Sequence, residues 1–229
     1  MMSGAFVLHD FIRRGVIRCG MVVSGEYISS LSRNAARQIR WILSPQLASL
    51  TLGDAGAAVI VERADAAADP DDHIAVAGFA TLSEHSRLCI GAPSKVGPGA
   101  SMYTKARAIH RVAIAESPPL LQEALAQTGL GFGDIDYVIP HQTSARAIEK
   151  GTQAIAERLG VAPRHVVVTV DEFGNTSSTT HFLALHKYLR EHRFEKGDRI
   201  MLISFASGLE VGVMIFAMGE LVDRYGRAD

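Results

Sequence analysis

Two polar residues in the second half of the sequence, His141 and Asn175, have side chains suited to catalysis. An imidazole can accept or donate a proton near neutral pH. An Asn amide can donate a fixed hydrogen bond to a negative charge that develops during a reaction. Each residue follows a short apolar stretch and precedes a segment of helical periodicity. A His that only caps a helix would explain one such position, whereas two matching positions favour chemistry.

The segments around these residues predict an alternating α/β fold. Residues 137–139 form a predicted strand that stops at Pro140, and 143–159 carry the pattern of an amphipathic helix. Residues 164–170 form another predicted strand, and a second helix is predicted over 178–192. Because ligands bind at the carboxyl ends of strands in such folds, we expect both polar side chains at one edge of the sheet.

The beginning of the sequence predicts a helix followed by a buried strand. Residues 1–14 place apolar side chains on one helical face, and Gly15 ends the helix. Residues 16–23 are almost continuously apolar, which is typical of a strand covered on both faces. Cys19 lies inside this run, so we expect a buried and unreactive thiol.

The middle of the sequence is rich in residues that interrupt regular structure. Residues 64–72 and 83–99 are predicted as loops from their Gly, Pro and Asp content. Cys89 lies in the second of these loops and is assigned no role. A helix is predicted over 102–116, and the Ser-Pro-Pro run at 117–119 is expected to break or kink it.

Four short motifs together resemble the β-ketoacyl-acyl-carrier-protein synthase III family. The Pro-His-Gln run at 140–142, the Gly-Asn-Thr-Ser run at 174–177 and the closing Phe-Ala-Ser-Gly-Leu-Glu-Val-Gly run at 205–212 occur in the family's order. The Gly-Asp-Ala-Gly-Ala-Ala run at 53–58 also resembles a family segment, although it lacks that segment's central Gly. The three later motifs carry the resemblance, which extends over nearly the whole chain.

The resemblance implies a thiolase-like, layered α-β-α-β-α fold and a condensing activity. Members join an acyl thioester to malonyl-acyl-carrier protein with a Cys-His-Asn triad, and His141 and Asn175 match two of its members. By resemblance, the backbone at Ser207 and Gly208 supplies oxyanion donors. Ser144 and Arg146 match positions that bind the carrier protein or its pantetheine arm.

One departure from the family concerns its nucleophilic Cys, which lies at a helix N-terminus in a Cys-x-Gly context. Counting back from Gly15 places that position about three residues before Met1, and neither Cys19 nor Cys89 matches it. We therefore expect a first half that is truncated at its N-terminus. On this view residues 1–100 are a remnant of the N-terminal thiolase half, and 101–229 form the C-terminal half with the His and the Asn.

Composition excludes several other classes of protein. The 229 residues are 48% hydrophobic and 21% charged, with a net charge of −1, so no basic field points to nucleic acid. No apolar run is long enough to span a membrane, and the two cysteines fit a reducing cytoplasm. We expect no metal and no separate cofactor. Acyl-carrier protein and acyl-coenzyme A are the expected partners, within a homodimer or a heterodimer with another ketosynthase-type chain.

Three functional hypotheses follow. The first is a condensing acyltransferase of fatty acid or related biosynthesis. The second is a non-catalytic partner subunit, or pseudoenzyme, of a complete ketosynthase. The third is a malonyl-thioester decarboxylase that uses His141 and Asn175 without a thiol.

Overall fold

A computed structural model describes residues 1–64 and 73–226 of the chain. The predicted loop over 64–72 therefore lies outside the described residues, apart from its first position. The helices are α1 (Met2–Arg13), α2 (Ser29–Gln38), α3 (Ala106–Thr128), α4 (Ala145–Leu159), α5 (Val170–Phe173), α6 (Thr180–Arg190) and α7 (Leu221–Gly226). The strands are β1 (Cys19–Glu26), β2 (Ala55–Glu62), β3 (Ile74–Thr81), β4 (Cys89–Pro93), β5 (Ala100–Thr104), β6 (Tyr137–Pro140), β7 (His165–Val166), β8 (Arg199–Ala206) and β9 (Glu210–Ala217).

A five-stranded mixed sheet organises the fold, in the order β3-β9-β8-β6-β7. Strands β6, β7 and β8 run parallel, whereas β9 pairs antiparallel with both β8 and β3. The predicted α/β alternation is confirmed, but the strand predicted over 164–170 is wrong in extent, since β7 spans only His165–Val166 and α5 begins at Val170. Since β3 lies before residue 100 and pairs with β9, the sheet crosses the predicted domain boundary, which stays a prediction.

Helices cover both faces of the central strand β8, and its side chains alternate between two cores. Ile200 and Leu202 pack with residues of α1 and α6, whereas Met201 and Ile203 pack with residues of α3 and α4. All four side chains are buried. Burial on both faces explains why this strand is almost continuously apolar in sequence.

Strands β1 and β2 form a separate two-stranded sheet with one packed and one exposed face. The outer face carries Met21, Val23 and Ile60, which are 60%, 63% and 64% exposed. The predicted burial on both faces is therefore wrong, and Cys19 is exposed. The strand begins three residues later than predicted, because Val16 lies in the turn after α1 and is itself exposed.

We expect this apolar face to drive self-association of the chain, since a contiguous exposed apolar patch favours burial against another surface. Changing Met21 and Ile60 together to Lys should reduce the concentration-dependent association seen in sedimentation velocity. The thermal midpoint should fall only slightly, because both side chains are already mostly in water, although the two Lys side chains would face each other across β1 and β2. Ile42→Lys, at an 84% exposed site outside this sheet, controls for the added charge. Equal association of the double variant and the wild type would contradict the expectation.

The two predictions for the middle of the chain need correction. Residues 83–99 are not a plain loop, because they contain a 3-10 helix (Ser83–Leu88) and β4, which forms a hairpin with β5. Helix α3 begins later than predicted and passes through Pro118 and Pro119 without ending. Burial of Ser117, Pro118 and the nearby Leu121 holds the helix together, although two backbone donors are missing.

Among residues 1–64 and 73–226, no helix has the length and apolarity needed to cross a lipid bilayer.

Candidate active site

His141 is positioned by the parallel pairing of β6 and β8. Pro140 ends β6 opposite Ile203 of β8, and the His141 backbone N–H donates to the Ile203 carbonyl oxygen at 2.9 Å. Pro140 itself can donate nothing, so the chain leaves the sheet at this point. The imidazole therefore lies at the carboxyl edge of the strands, where the sequence pattern placed it.

Gln142 fixes the backbone on either side of this edge. Its Nε2 donates to the carbonyl oxygens of Pro140 at 2.9 Å and Val167 at 3.0 Å, and its Oε1 accepts from the Thr169 N–H at 2.7 Å. The side chain is 1% exposed, so these bonds satisfy a buried amide. Gln142 thus ties the segment that carries His141 to the segment that leads to Asn175.

Asn175 is held by a bridge to the segment before β2. Its backbone N–H donates to the Thr51 carbonyl oxygen at 2.7 Å, and its own carbonyl oxygen accepts from the Gly53 N–H at 3.0 Å. The Asn175 Oδ1 accepts from the Ser177 N–H at 3.0 Å, which orients the amide. The Asn175 side chain is near enough to His141 to raise the pKa of that imidazole. The two predicted catalytic side chains therefore belong to one site.

Two glycines allow this bridge to form. A Cβ on Gly53 would lie 1.9 Å from the Phe173 carbonyl oxygen, far inside any permitted contact. Gly174 has a φ of +70°, and a Cβ there would lie 2.7 Å from the Thr51 carbonyl oxygen. Two backbones approach here with no room for a side chain. The Gly-rich run that begins at residue 53 therefore supports Asn175 directly.

His181 is a second imidazole at the site, and the sequence reasoning missed it. Its Nε2 lies 2.9 Å from the Ile203 carbonyl oxygen, and this nitrogen must carry the proton because a carbonyl can only accept. The ring is 2% exposed, and its centroid lies 5.7 Å from that of His141. Its burial on α6 is visible only in the structure, so no sequence pattern identified it.

Both imidazoles are neutral at pH 7. Burial lowers the pKa of His141 to about 4, although the hydrogen bond with Asn175 opposes this change. Burial, and then the neighbouring His141, lower the pKa of His181 to about 3. Desolvation penalises the charged form of each ring. The single N–H of neutral His181 is already used by the Ile203 carbonyl oxygen, whereas neutral His141 can offer its N–H to an oxyanion without a full positive charge.

We expect the free energy of unfolding to fall as the pH drops from about 6.5 toward 4. Each folded-state pKa lies below its unfolded value, so the unfolded chain binds more protons in this window. The contribution is fully present above about pH 6.5 and is lost as the pH approaches the folded-state pKa values. Urea titrations over a pH series measure this loss.

The variant His181→Leu should flatten the same pH dependence, because it removes the imidazole with the lower pKa. His186→Leu, at an exposed position on the same helix, is the matched control and should leave the slope unchanged. A His181→Leu protein with the wild-type slope would contradict a neutral, buried His181.

A cavity of about 680 Å³ opens in front of these groups. His141, Asn175 and His181 line it, together with Met1 and Met2 at the beginning of α1. The volume lies within the usual range for small-molecule sites, and most of the lining is apolar. A helix N-terminus beside a donor pair suits a ligand that carries or develops negative charge.

Of the other predicted site residues, Ser144 and Ser207 line the same cavity, whereas Gly208 and Arg146 are not among its lining residues. Ser207 lines it from the exposed turn between β8 and β9, and Gly208 follows in that turn with a φ of +143°. Ser144 also lines it and caps α4, since its Oγ accepts from the Ala147 N–H at 3.2 Å. Arg146 is exposed on the first turn of α4. Their roles stay predictions.

The two cysteines differ in position. Cys89 is partly exposed in β4 and lines the cavity, with its Sγ 3.4 Å from the Thr104 Oγ1, whereas Cys19 lies on the outer sheet. Neither cysteine lies at the beginning of α1. Within the part of the chain that the structure describes, no group of three or more His, Cys, Asp and Glu side chains could hold a metal ion.

Comparison with known proteins shows what this chain is similar to. Residues 125–218, which include His141 and Asn175, match the family model described as 3-oxoacyl-[acyl-carrier-protein] synthase III, C terminal. The chain is 27% identical to β-ketoacyl-[acyl-carrier-protein] synthase III of Thermosynechococcus vestitus over 216 residues, and 30% identical to that of Novosphingobium aromaticivorans over 212 residues. The chain is similar to β-ketoacyl-[acyl-carrier-protein] synthase III proteins over most of its length. These alignments cover 90% of this chain and 61% of each relative.

Solved structures of synthase III and OleA proteins share the fold. The synthase III of Thermus thermophilus superposes with a TM-score of 0.74 at 24% identity, covering 95% of this chain and 64% of that protein. Xanthomonas campestris OleA with bound lauric acid and lauroyl-CoA gives a TM-score of 0.78 at 24% identity, covering 95% of this chain and 63% of that one. The thiolase-like fold expected from the motifs is therefore confirmed.

Proposed function

We propose that this chain decarboxylates a malonyl thioester through His141 and Asn175. The observation that carries the proposal is that these two side chains line the same largely apolar cavity. A neutral imidazole and a primary amide can each donate a hydrogen bond to a ligand there. Such a pair suits an anionic oxygen that exists only after the reaction has begun.

The decarboxylation step needs no metal and no redox partner. The bond between C2 of the malonyl group and its carboxylate carbon breaks, and carbon dioxide leaves. The electron pair of that bond moves into an enolate whose oxygen was the thioester carbonyl oxygen. His141 and Asn175 donate hydrogen bonds to this oxygen, and each fixed donor lowers the barrier by about 3 kcal/mol. In the absence of an acyl acceptor, C2 then takes a proton from water.

Condensation is the second step that the family resemblance suggests. The enolate carbon attacks an acyl carbonyl carbon held as a thioester, a carbon–carbon bond forms, and the thiolate leaves. The backbone donors at Ser207 and Gly208 are proposed to stabilise the tetrahedral oxyanion. The beginning of α1 borders the cavity and would stabilise a thiolate there. The finer proposal is thus an acyltransferase of fatty acid or related biosynthesis.

The substrates are proposed to arrive as thioesters of coenzyme A or of a phosphopantetheine arm, with no separate cofactor. Ser144 lies at the cavity and the exposed Arg146 follows it on α4, so the Arg guanidinium can meet an acidic carrier protein or a phosphate. A cytoplasmic homodimer, or a heterodimer with another ketosynthase-type chain, completes the proposal.

The test is to incubate the chain with malonyl-acyl-carrier protein and acyl-coenzyme A, and to measure carbon dioxide and the thioester products by mass spectrometry. We expect carbon dioxide and acetyl-carrier protein from this chain tested by itself. Neither Cys19 nor Cys89 lies at the beginning of α1, so neither is placed there to hold an acyl group for condensation. A 3-oxoacyl product would extend the activity to condensation. If the chain consumes no more malonyl thioester than the buffer control does, the proposal is overturned.

A further inference from the structure

Two segments of the chain, residues 27–53 and 85–115, contain no Asp or Glu, although the whole chain has 24 acidic and 23 basic residues. Their basic side chains are all exposed, and they are Arg33, Arg37, Arg40, Arg87, Lys95, Lys105, Arg107 and Arg111. No acidic residue within either segment offsets this charge. Both segments therefore present a positive surface in a chain whose net charge is only −1.

The two segments pack against each other. The Asn34 Nδ2 of α2 donates to the carbonyl oxygens of Pro98 at 3.0 Å and Ala100 at 2.9 Å. The Thr104 N–H at the end of β5 donates to the Pro45 carbonyl oxygen at 2.7 Å. Helix α2 and the turn that follows it therefore lie beside the β4–β5 hairpin, so their positive charges belong to neighbouring parts of one surface.

The turn after α2 carries three consecutive exposed apolar side chains. Trp41, Ile42 and Leu43 are 59%, 84% and 59% exposed, and we call these three residues the Trp41 tip. The Ser44 N–H donates to the Trp41 carbonyl oxygen at 3.2 Å, which closes the turn. Arg40 directly precedes the tip. A Trp with aliphatic neighbours and adjacent cations is the combination that favours the interface between a lipid bilayer and water.

The cations beside the Trp41 tip are available to a ligand. Arg37, Arg40 and Lys95 form no ion pair with any residue that the structure describes. A Cβ added at Gly97 would lie 3.1 Å from the Arg37 Nη1, so this guanidinium lies next to the loop that carries Lys95. Arg33, at the other end of α2, is closer to an acid, since it lowers the pKa of Asp54 together with hydrogen bonds from the beginning of that helix.

The inner side of the same two segments forms part of the cavity wall. Ile28, Leu31 and Leu47 line the cavity from the first segment, and Met102 and Thr104 line it from the second. A surface that binds the outer side of these segments would therefore lie next to the cavity that holds His141 and Asn175.

We propose that the Trp41 tip and the cations around it bind the surface of an anionic lipid bilayer. The three apolar side chains insert among the lipid head groups, and the guanidinium groups of Arg37 and Arg40 pair with lipid phosphates. An acidic carrier protein can pair with the same cations. The bilayer is favoured because it accepts a protruding apolar tip without a preformed pocket.

Trp41 is the only tryptophan in the sequence, so tryptophan fluorescence reports directly on the tip. The test adds vesicles of phosphatidylcholine and phosphatidylglycerol, in a ratio of about 3:1, to the full chain and measures both fluorescence and co-sedimentation. We expect a blue shift of the emission, and binding at least about tenfold weaker to vesicles of phosphatidylcholine alone. Added salt should weaken the binding, since it screens exposed charges. An unchanged emission maximum without co-sedimentation would overturn the proposal.

Two double variants separate the charge from the apolar tip. Arg37→Gln with Arg40→Gln should weaken binding to the anionic vesicles about 25-fold, at about fivefold for each cation. Arg37→Lys with Arg40→Lys retains the charge and should bind nearly as the wild type does. Ile42→Ser with Leu43→Ser retains the fluorescent side chain and should weaken binding by more than about tenfold. All four positions are exposed, so these variants should fold.

The matched control is Met21→Ser with Ile60→Ser, which removes apolar side chains from the exposed face of the β1–β2 sheet. This control should bind the vesicles as the wild type does. A loss of binding in the control as large as that in the tip variant would overturn the proposal, because the Trp41 tip would then not be the contact.

A titration with acyl-carrier protein distinguishes the other occupant. If the carrier protein shifts the Trp41 emission and the anionic vesicles do not, this surface binds the carrier protein and the bilayer proposal is overturned. The decarboxylation assay uses no vesicles, so its outcome bears only on the proposed function.

Discussion

Replacing His141 by Ala is expected to lower the rate of malonyl-thioester decarboxylation by about 10²–10³-fold, since it removes one of two fixed donors to the enolate oxygen. Asn175→Ala should cost a similar factor. The double variant should lose much less than the product of the two factors, because both donors act on the same enolate oxygen and so work as a unit. The measurement is kcat from carbon dioxide release at saturating substrate.

A conservative substitution separates the effect of losing the N–H donor from the effect of losing the side chain itself. His141→Gln retains an N–H donor of similar reach and should recover part of the rate. His186→Ala, at an exposed site on α6, should match the wild type. The wild-type rate should stay flat down to about pH 5, because burial keeps the pKa of His141 near 4. A His141→Ala protein with the wild-type rate would show that the donor pair is not the catalyst.

Gly53→Ala is expected to disrupt both the fold and the site. The added Cβ would lie 1.9 Å from the Phe173 carbonyl oxygen, and a backbone atom cannot move aside as a flexible side chain can. Overpacking of this kind costs about 3 kcal/mol, which corresponds to a fall of about 6–12 °C in Tm for a chain of this size. Differential scanning calorimetry measures the change.

The same substitution should also reduce decarboxylation in the protein that remains folded. Gly53 donates its N–H to the Asn175 carbonyl oxygen, so a displaced segment shifts the amide away from His141. Gly25→Ala is the matched control, since a Cβ there meets no atom within 4 Å. We expect that control to keep the wild-type Tm within about 1 °C. A Gly53→Ala protein as stable as the control would contradict the close approach.

The strand end that carries His141 could be predicted from the sequence, because several local patterns indicate the same strand and helix boundaries there. The apolar run of β6, the stop at Pro140 and the helical period of α4 leave His141 at a strand end in any α/β arrangement. The closing strands β8 and β9 were equally clear, since burial on both faces makes them continuously apolar. The motifs then supplied the partner, Asn175, which no periodicity could have placed beside the His.

The errors arose where tertiary packing decides the outcome. An apolar run such as 16–23 does not reveal that only one of its faces is packed, and so Cys19 was wrongly expected to be buried. The prolines at 118 and 119 predict a helix break, yet buried neighbours carry α3 through them. The position of His181 depends on which helical faces meet across the sheet, and that information is not local.

The bridge between Asn175 and the segment at Thr51 and Gly53 also has a kinetic consequence. It joins positions separated by most of the chain, and such contacts form only after a large loss of chain entropy. The catalytic geometry should therefore appear late in refolding, together with the complete tertiary structure. In native-state hydrogen exchange, the amide protons of Asn175 and Gly53 should be released only by global unfolding, whereas the N-terminus of α4 should open through local fluctuations.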